Sequence, residues 1–143
     1  NEIMQHFIYR LAAVALLLSI AAGCSAPNVP TLSDGQRAVC ESLNALRTAA
    51  VSLRDIDPNT SIEQLRGMRE SLANLVEAAR RANTVLQNQS ITEMVTAYED
   101  FSRTVDGLST EQTVGGAATA LRASGDKVLV ALDQAYTAAQ CAQ

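Results

Sequence analysis

The chain has 143 residues, 48% hydrophobic but only 3% aromatic, with a formal net charge of −4 and a single lysine, Lys127. This length fits one domain. An acidic balance with so few rings argues against a nucleic-acid binder, which needs a basic stripe to neutralise phosphates and aromatics to stack on bases. Collagenous, disordered and disulfide-dense classes also fit the composition poorly.

The first element is a run of apolar residues. Leu11 to Ala22 (LAAVALLLSIAA) holds one polar residue, Ser19, and lies between Arg10 and Gly23-Cys24. A short basic region, an apolar stretch of about 12 residues and small residues at the cut form a signal peptide pattern, which assigns residues 1–23 to a cleaved leader. The stretch is shorter than the roughly 20 residues that span a bilayer. Phe7, Ile8 and Tyr9 lengthen it, so a retained transmembrane anchor is the alternative. Met4 is the first methionine, and translation from it makes Asn1 to Ile3 upstream residues.

Ala21-Ala22-Gly23-Cys24 resembles the lipobox of bacterial lipoproteins, with Ala21 standing where leucine is usual. The resemblance covers residues 1–24. It implies that Cys24 is diacylated on sulfur, that the leader is removed just before it, and that the protein is held on a membrane of the cell envelope. Two or more acyl chains anchor stably, since each buried methylene contributes about 0.8 kcal/mol. Ser25, in place of aspartate, resembles lipoproteins released to the periplasmic face of the outer membrane in two-membrane bacteria. In other cells the outer face of the cytoplasmic membrane is expected. Ordinary secretory cleavage that leaves a free Cys24 thiol is the alternative.

Cys24 to Ser33 (CSAPNVPTLS), uncharged and with Pro27 and Pro30, reads as an extended tether, residues 24–33, leading into a domain at 34–143. From there the apolar period is helical throughout. A first helix over 34–54 carries Val39, Leu43, Leu46, Ala50 and Leu53, starts with Ser33 and Gln36 in capping-box register, and stops near Asp57-Pro58. A second, 62–87, carries Leu65, Met68, Leu72, Leu75, Ala79, Ala82 and Leu86 behind Ser61 and Gln64. A third, 91–106, carries Ile91, Met94, Tyr98, Phe101 and Val105 behind Ser90 and Glu93, with Gly107 as its stop. A fourth, 111–141, carries Val114, Ala118, Leu121, Val128, Leu132, Ala135 and Ala139, with Gly115-Gly116 able to break its start.

No run alternates with period two for long enough to make a strand, so the domain is expected to be all-α. Short connections at 55–60, 88–90 and 107–110 predict an up-down-up-down antiparallel four-helix bundle. The alternative is a three-helix bundle with 62–106 fused into one bent rod. Alanine, with 19 copies after residue 23, favours helix but leaves a thin core that needs a staple. In such a bundle the start of the first helix and the end of the last share a pole. Export places Cys40 and Cys141 in an oxidising compartment, so a Cys40–Cys141 disulfide is expected, and it leaves Cys24 free for acylation.

Beyond the leader there is no histidine and no tryptophan. A Ser-His-Asp or Cys-His site, a haem histidine ligand and the Glu-x-x-His di-metal motif are therefore ruled out there, and no cofactor is expected. Met68 and Met94 read as core filler. Glu63, Glu70 and Glu77 recur among Arg66, Arg69, Arg80 and Arg81, placing Arg66–Glu70 and Glu77–Arg81 in i,i+4 register; the pattern is a solvated ion-paired face or a strip for a charged partner. Glu99, Asp100 and Arg103 repeat it. Tyr98 and Phe101 lie on the core stripe, with Tyr136 beside one. The small-residue segment Gly116 to Gly125 serves close packing inside the bundle or close approach of a partner.

The expected function is thus a non-enzymatic, lipid-anchored envelope protein acting through contacts with a protein or the envelope. A bundle that holds a small apolar ligand or lipid is the alternative. The mature part is also similar in texture to the Ala-rich, cysteine-closed helical exported proteins of high-GC bacteria, a likeness that carries no functional residues.

Overall fold

The computed structural model describes residues 31–108 and 113–141. The expected leader, Cys24 and most of the tether lie outside them. Four α-helices make up the fold of the described residues: α1, Leu32–Ala50; α2, Ile62–Leu86; α3, Gln89–Asp106; and α4, Ala118–Ala138. Short 3-10 segments extend α1 through Val51–Asp55 and precede α4 at Gly115–Ala117.

Local chemistry sets each boundary. Thr31 caps α1, with its hydroxyl accepting from the Asp34 amide while the Asp34 carboxylate accepts from the Thr31 amide. This reciprocal box satisfies two donors that would otherwise lack partners and displaces the expected Ser33 and Gln36 pair. Leu32 and Ser33, expected to close the tether, are therefore helical. After Ala50 the helix tightens to 3-10 and ends at Ile56, whose extended backbone leads into the Asp57–Thr60 turn. There the Asp57 carboxylate accepts from the Asn59 amide and the Thr60 hydroxyl accepts from the Asp57 amide.

Ser61 caps α2 through the Gln64 amide, as its register predicts. The α2 helix stops at Gln87, which takes left-handed φ 51, and Asn88 caps α3 through the Ser90 amide in place of the expected Ser90. Buried Asn83 fastens this two-residue turn, its side chain donating to the Asn88 carbonyl and accepting from the Asn88 amide. This break excludes the bent three-helix rod. Gly115, at φ 47, adopts a conformation that favours glycine, and α4 begins at Ala118, well after the expected residue 111.

Each helix packs on its neighbours in the chain, and α1 closes the ring against α4. The directions alternate: Gly35 of α1 meets Val85 of α2, Arg69 of α2 meets Asp106 of α3, and Arg47 of α1 meets Asp133 of α4. The protein is an all-α, up-down-up-down four-helix bundle. Its core is Leu43, Leu46, Leu65, Leu72, Ile91, Met94, Phe101 and Leu121, with smaller Val and Ala side chains between them. In α2 the buried line runs through Leu65, Leu72, Val76, Ala79 and Asn83, and Met68, Leu75, Ala82 and Leu86 flank it half-buried. A strict 3,4 alternation repeats every 3.5 residues, whereas a straight helix turns every 3.6, so the stripe drifts off the core over 25 residues.

The approach of α1 to α2 requires glycine at one point. A Cβ on Gly35 would lie 2.9 Å from Val85 Cγ1 and 3.0 Å from Val85 Cβ, and a β-branched side chain has little freedom to yield. Gly35→Ala should therefore destabilise the bundle by about 1 kcal/mol or more, the overpacking cost exceeding the helix preference of alanine. In a Val85→Gly background, which removes all three of the nearest atoms, the same change should stabilise by up to about 1 kcal/mol. Urea unfolding of the four proteins checks this reversal of sign.

Candidate functional site

The two ends of the bundle are fastened by different chemistry. At one pole Cys40, in the third turn of α1, is bonded to Cys141, three residues beyond the end of α4, with S–S 2.05 Å and Cα–Cα 5.2 Å. The expected disulfide is present. Gln140, at φ 56, turns the chain back towards α1, and Gln36 Nε2 donates to the Ala139 carbonyl at 3.2 Å. Tyr136 lies beneath this closure. Its ring supports the Arg47 guanidinium 4.4 Å from the centroid, and its hydroxyl donates to the Cys141 carbonyl at 3.4 Å.

At the opposite pole the α1–α2 turn and the chain leading into α4 are joined through their backbones. The Val114 amide donates to the Thr60 carbonyl and the Gly115 amide to the Pro58 carbonyl, both at 3.0 Å, and Ser61 and Thr113 form an isolated antiparallel bridge. Arg122 of α4 donates to the Ile56 carbonyl. Both fastenings involve α1 or the turn that follows it and the last quarter of the chain.

The charged face of α2 is arranged differently from its i,i+4 spacing. Glu77 pairs with Arg80 at 2.8 Å, three residues away, and Arg69 reaches across to Asp106 of α3. Arg103 pairs with Asp100 on α3. The Arg80 guanidinium holds the Glu77 carboxyl below the usual carboxylate range, and the Thr31 hydroxyl does the same for Asp34. Such carboxylates are fully ionised at neutral pH, the opposite of what a general acid needs. Among the described residues, no group of three or more His, Cys, Asp or Glu is placed to hold a metal ion, and no helix is long and apolar enough to cross a membrane.

Tyr98 and Phe101 are buried where the stripe predicts, and Met94 is fully buried while Met68 is half-buried. Tyr98 also ties α3 to α2, its hydroxyl donating to the Arg69 carbonyl at 2.8 Å. The small-residue segment is part core and part surface. Ala118, Leu121 and Gly125 face the core, and a Cβ on Gly125 would sit 3.5 Å from Leu53 Cβ. Ala120, Ala123 and Ser124 instead line an open groove of about 630 Å³ against Ala97 of α3. A second open groove, about 620 Å³, runs between α1 and α4 and is lined by Arg47, Val51, Arg54, Leu129, Val130 and Asp133. The roles of Arg47 and Arg69 are not visible in the sequence, because their partners are distant in the chain and surface charge has no periodic signature.

Burial raises the pKa of the Tyr98 phenol above its ordinary value. The folded state therefore holds this proton more tightly than the unfolded chain. The resulting stabilisation is complete below about pH 10, the ordinary tyrosine value, and is lost as pH rises through the folded-state value. Tyr98→Phe should cost about 0.5–1.5 kcal/mol at neutral pH through the bond to the Arg69 carbonyl. Urea unfolding at increasing pH should show this gap between the two proteins narrowing above about pH 10; a gap that stays constant contradicts the assignment.

No family model, no curated protein and no solved structure matches this chain.

Proposed function

We propose that this chain is a lipid-anchored protein of the bacterial cell envelope whose helical bundle works through protein or envelope contacts rather than catalysis. The observation that carries the reading is Ala21-Ala22-Gly23-Cys24 behind a short apolar run with a basic flank. The Cys40–Cys141 bond supports it, since disulfides persist in exported proteins and are rare where thiols are kept reduced. The lack of histidine after residue 6 supports the non-catalytic part of the reading.

Anchoring also gives the domain an orientation. Thr31 follows Cys24 by seven positions, a span of at most about 25 Å. An acylated Cys24 therefore keeps the disulfide pole towards the bilayer and the Thr60–Val114 pole away from it, leaving the long sides of the bundle open to neighbours in the same membrane. The carrier reading has less behind it, because Leu43, Leu65, Leu72, Met94, Phe101 and Leu121 occupy the space between the helices where an apolar ligand would lie. Cells grown with labelled palmitate should incorporate label into the protein, and Cys24→Ser should abolish it. A protein that never takes up label, or a Cys24→Ser variant that keeps it, overturns the anchor.

A further inference from the structure

We propose that the face formed by α1 and α4 pairs with the same face of a second copy of this chain, across a two-fold axis parallel to the helices. The groove on this face has an exposed apolar floor, with Val51 54% and Val130 58% accessible and Leu129 half-buried beside them. These two valines are two of the three large exposed hydrophobic residues among the described residues, and both lie in this groove.

The charges along its walls are segregated. Arg47 and Arg54 line the α1 side and Asp133 the α4 side, and Asp126, seven residues before Asp133, falls on the same face of α4 by helical period. Arg122, the basic residue on that side of α4, is turned to the Ile56 carbonyl. The register follows from the antiparallel packing, in which Arg47 stands 3.6 Å from Asp133 and Leu53 lies against Gly125. Residues of α1 and α4 at one height therefore have numbers summing to about 180, which brings Val51 level with Leu129 and Val130, and Arg54 level with Asp126.

A two-fold axis along the helices preserves height and exchanges the walls. It sets Val51 of each copy on Val130 of the other, Arg54 opposite Asp126, and Arg47 opposite Asp133. Every contact is made twice, as an isologous interface requires. The alternative axis across the helices would set α1 on α1 and bring the arginines together. The favoured axis also leaves both Thr31 caps on the same side, so two acylated chains could meet in one membrane. That last point alone rests on the lipid-anchor reading; the charge and apolar pattern stands without it.

Sedimentation equilibrium of the full chain, in density-matched detergent, tests the pairing. A reversible monomer–dimer equilibrium that weakens with added salt is expected. Arg54→Asp and Asp126→Arg should each raise the dissociation constant at least about tenfold, since each places two like-charge pairs in the interface. The variant carrying both changes should recover the dimer. Val130→Lys should also disperse it, and circular dichroism should show every variant as helical as the parent. A chain that stays monomeric, single variants that leave the dimer intact, or a double variant no better than the singles overturns the proposal. Cys24→Ser should keep the dimer, so loss of palmitate labelling and loss of pairing are separate failures.

Discussion

The covalent link from Cys40 to Cys141 joins the third turn of the first helix to the residues just after the last, across a sequence separation of 101. The order of the bundle depends on this closure because its core is thin. Valine and alanine make up eleven of the 24 buried apolar residues among those described, and Phe101 is the single fully buried aromatic. A buried leucine or phenylalanine contributes about 1.5–3 kcal/mol, whereas alanine burial contributes much less, so holding the ends of the chain together carries more weight here than in a bulkier core. The opposite pole, where the Val114 and Gly115 amides meet the Thr60 and Pro58 carbonyls, completes the seam by hydrogen bonding. The α1–α4 seam is thus fixed at both ends, while an open groove with Val51 and Val130 in its lining runs along its outer face between them.

Much of this architecture was legible in the sequence because it follows from period and chemistry over short range. The stripes through Val39, Leu43 and Leu46, and through Ile91, Met94, Tyr98 and Phe101, are buried as their spacing predicts. Pairing of Cys40 with Cys141 followed from an even number of antiparallel passes. Helix starts were less legible, since several Ser, Thr and Asn residues compete within two or three positions of each. Thr31 prevails over Ser33 because Asp34 returns the bond there while the Gln36 side chain is taken up by the Ala139 carbonyl, and Asn88 prevails over Ser90 because Asn83 grips its backbone from inside the preceding helix.

Charge was the least legible feature. Spacing on α2 pointed to Arg66–Glu70 and Glu77–Arg81, yet the ion pairs found there are Glu77–Arg80 and the cross-helix Arg69–Asp106. An exposed i,i+4 pair gains only about 0.3–0.5 kcal/mol, so a small gain from a neighbouring helix redirects a long side chain. The same holds for Arg47, which lies on the Tyr136 ring and beside Asp133. The proposed anchor at Cys24 is read from sequence alone, because the lipobox-like pattern is a local signal that needs no tertiary partner.

Comparing the oxidised chain with the Cys40→Ser/Cys141→Ser variant by equilibrium urea unfolding tests the dependence on closure most directly. The account predicts that the variant remains helical but loses about 2–4 kcal/mol of stability. Coincident unfolding curves would contradict it, and would leave the apolar core and the Thr60–Val114 pole as sufficient to hold the bundle together.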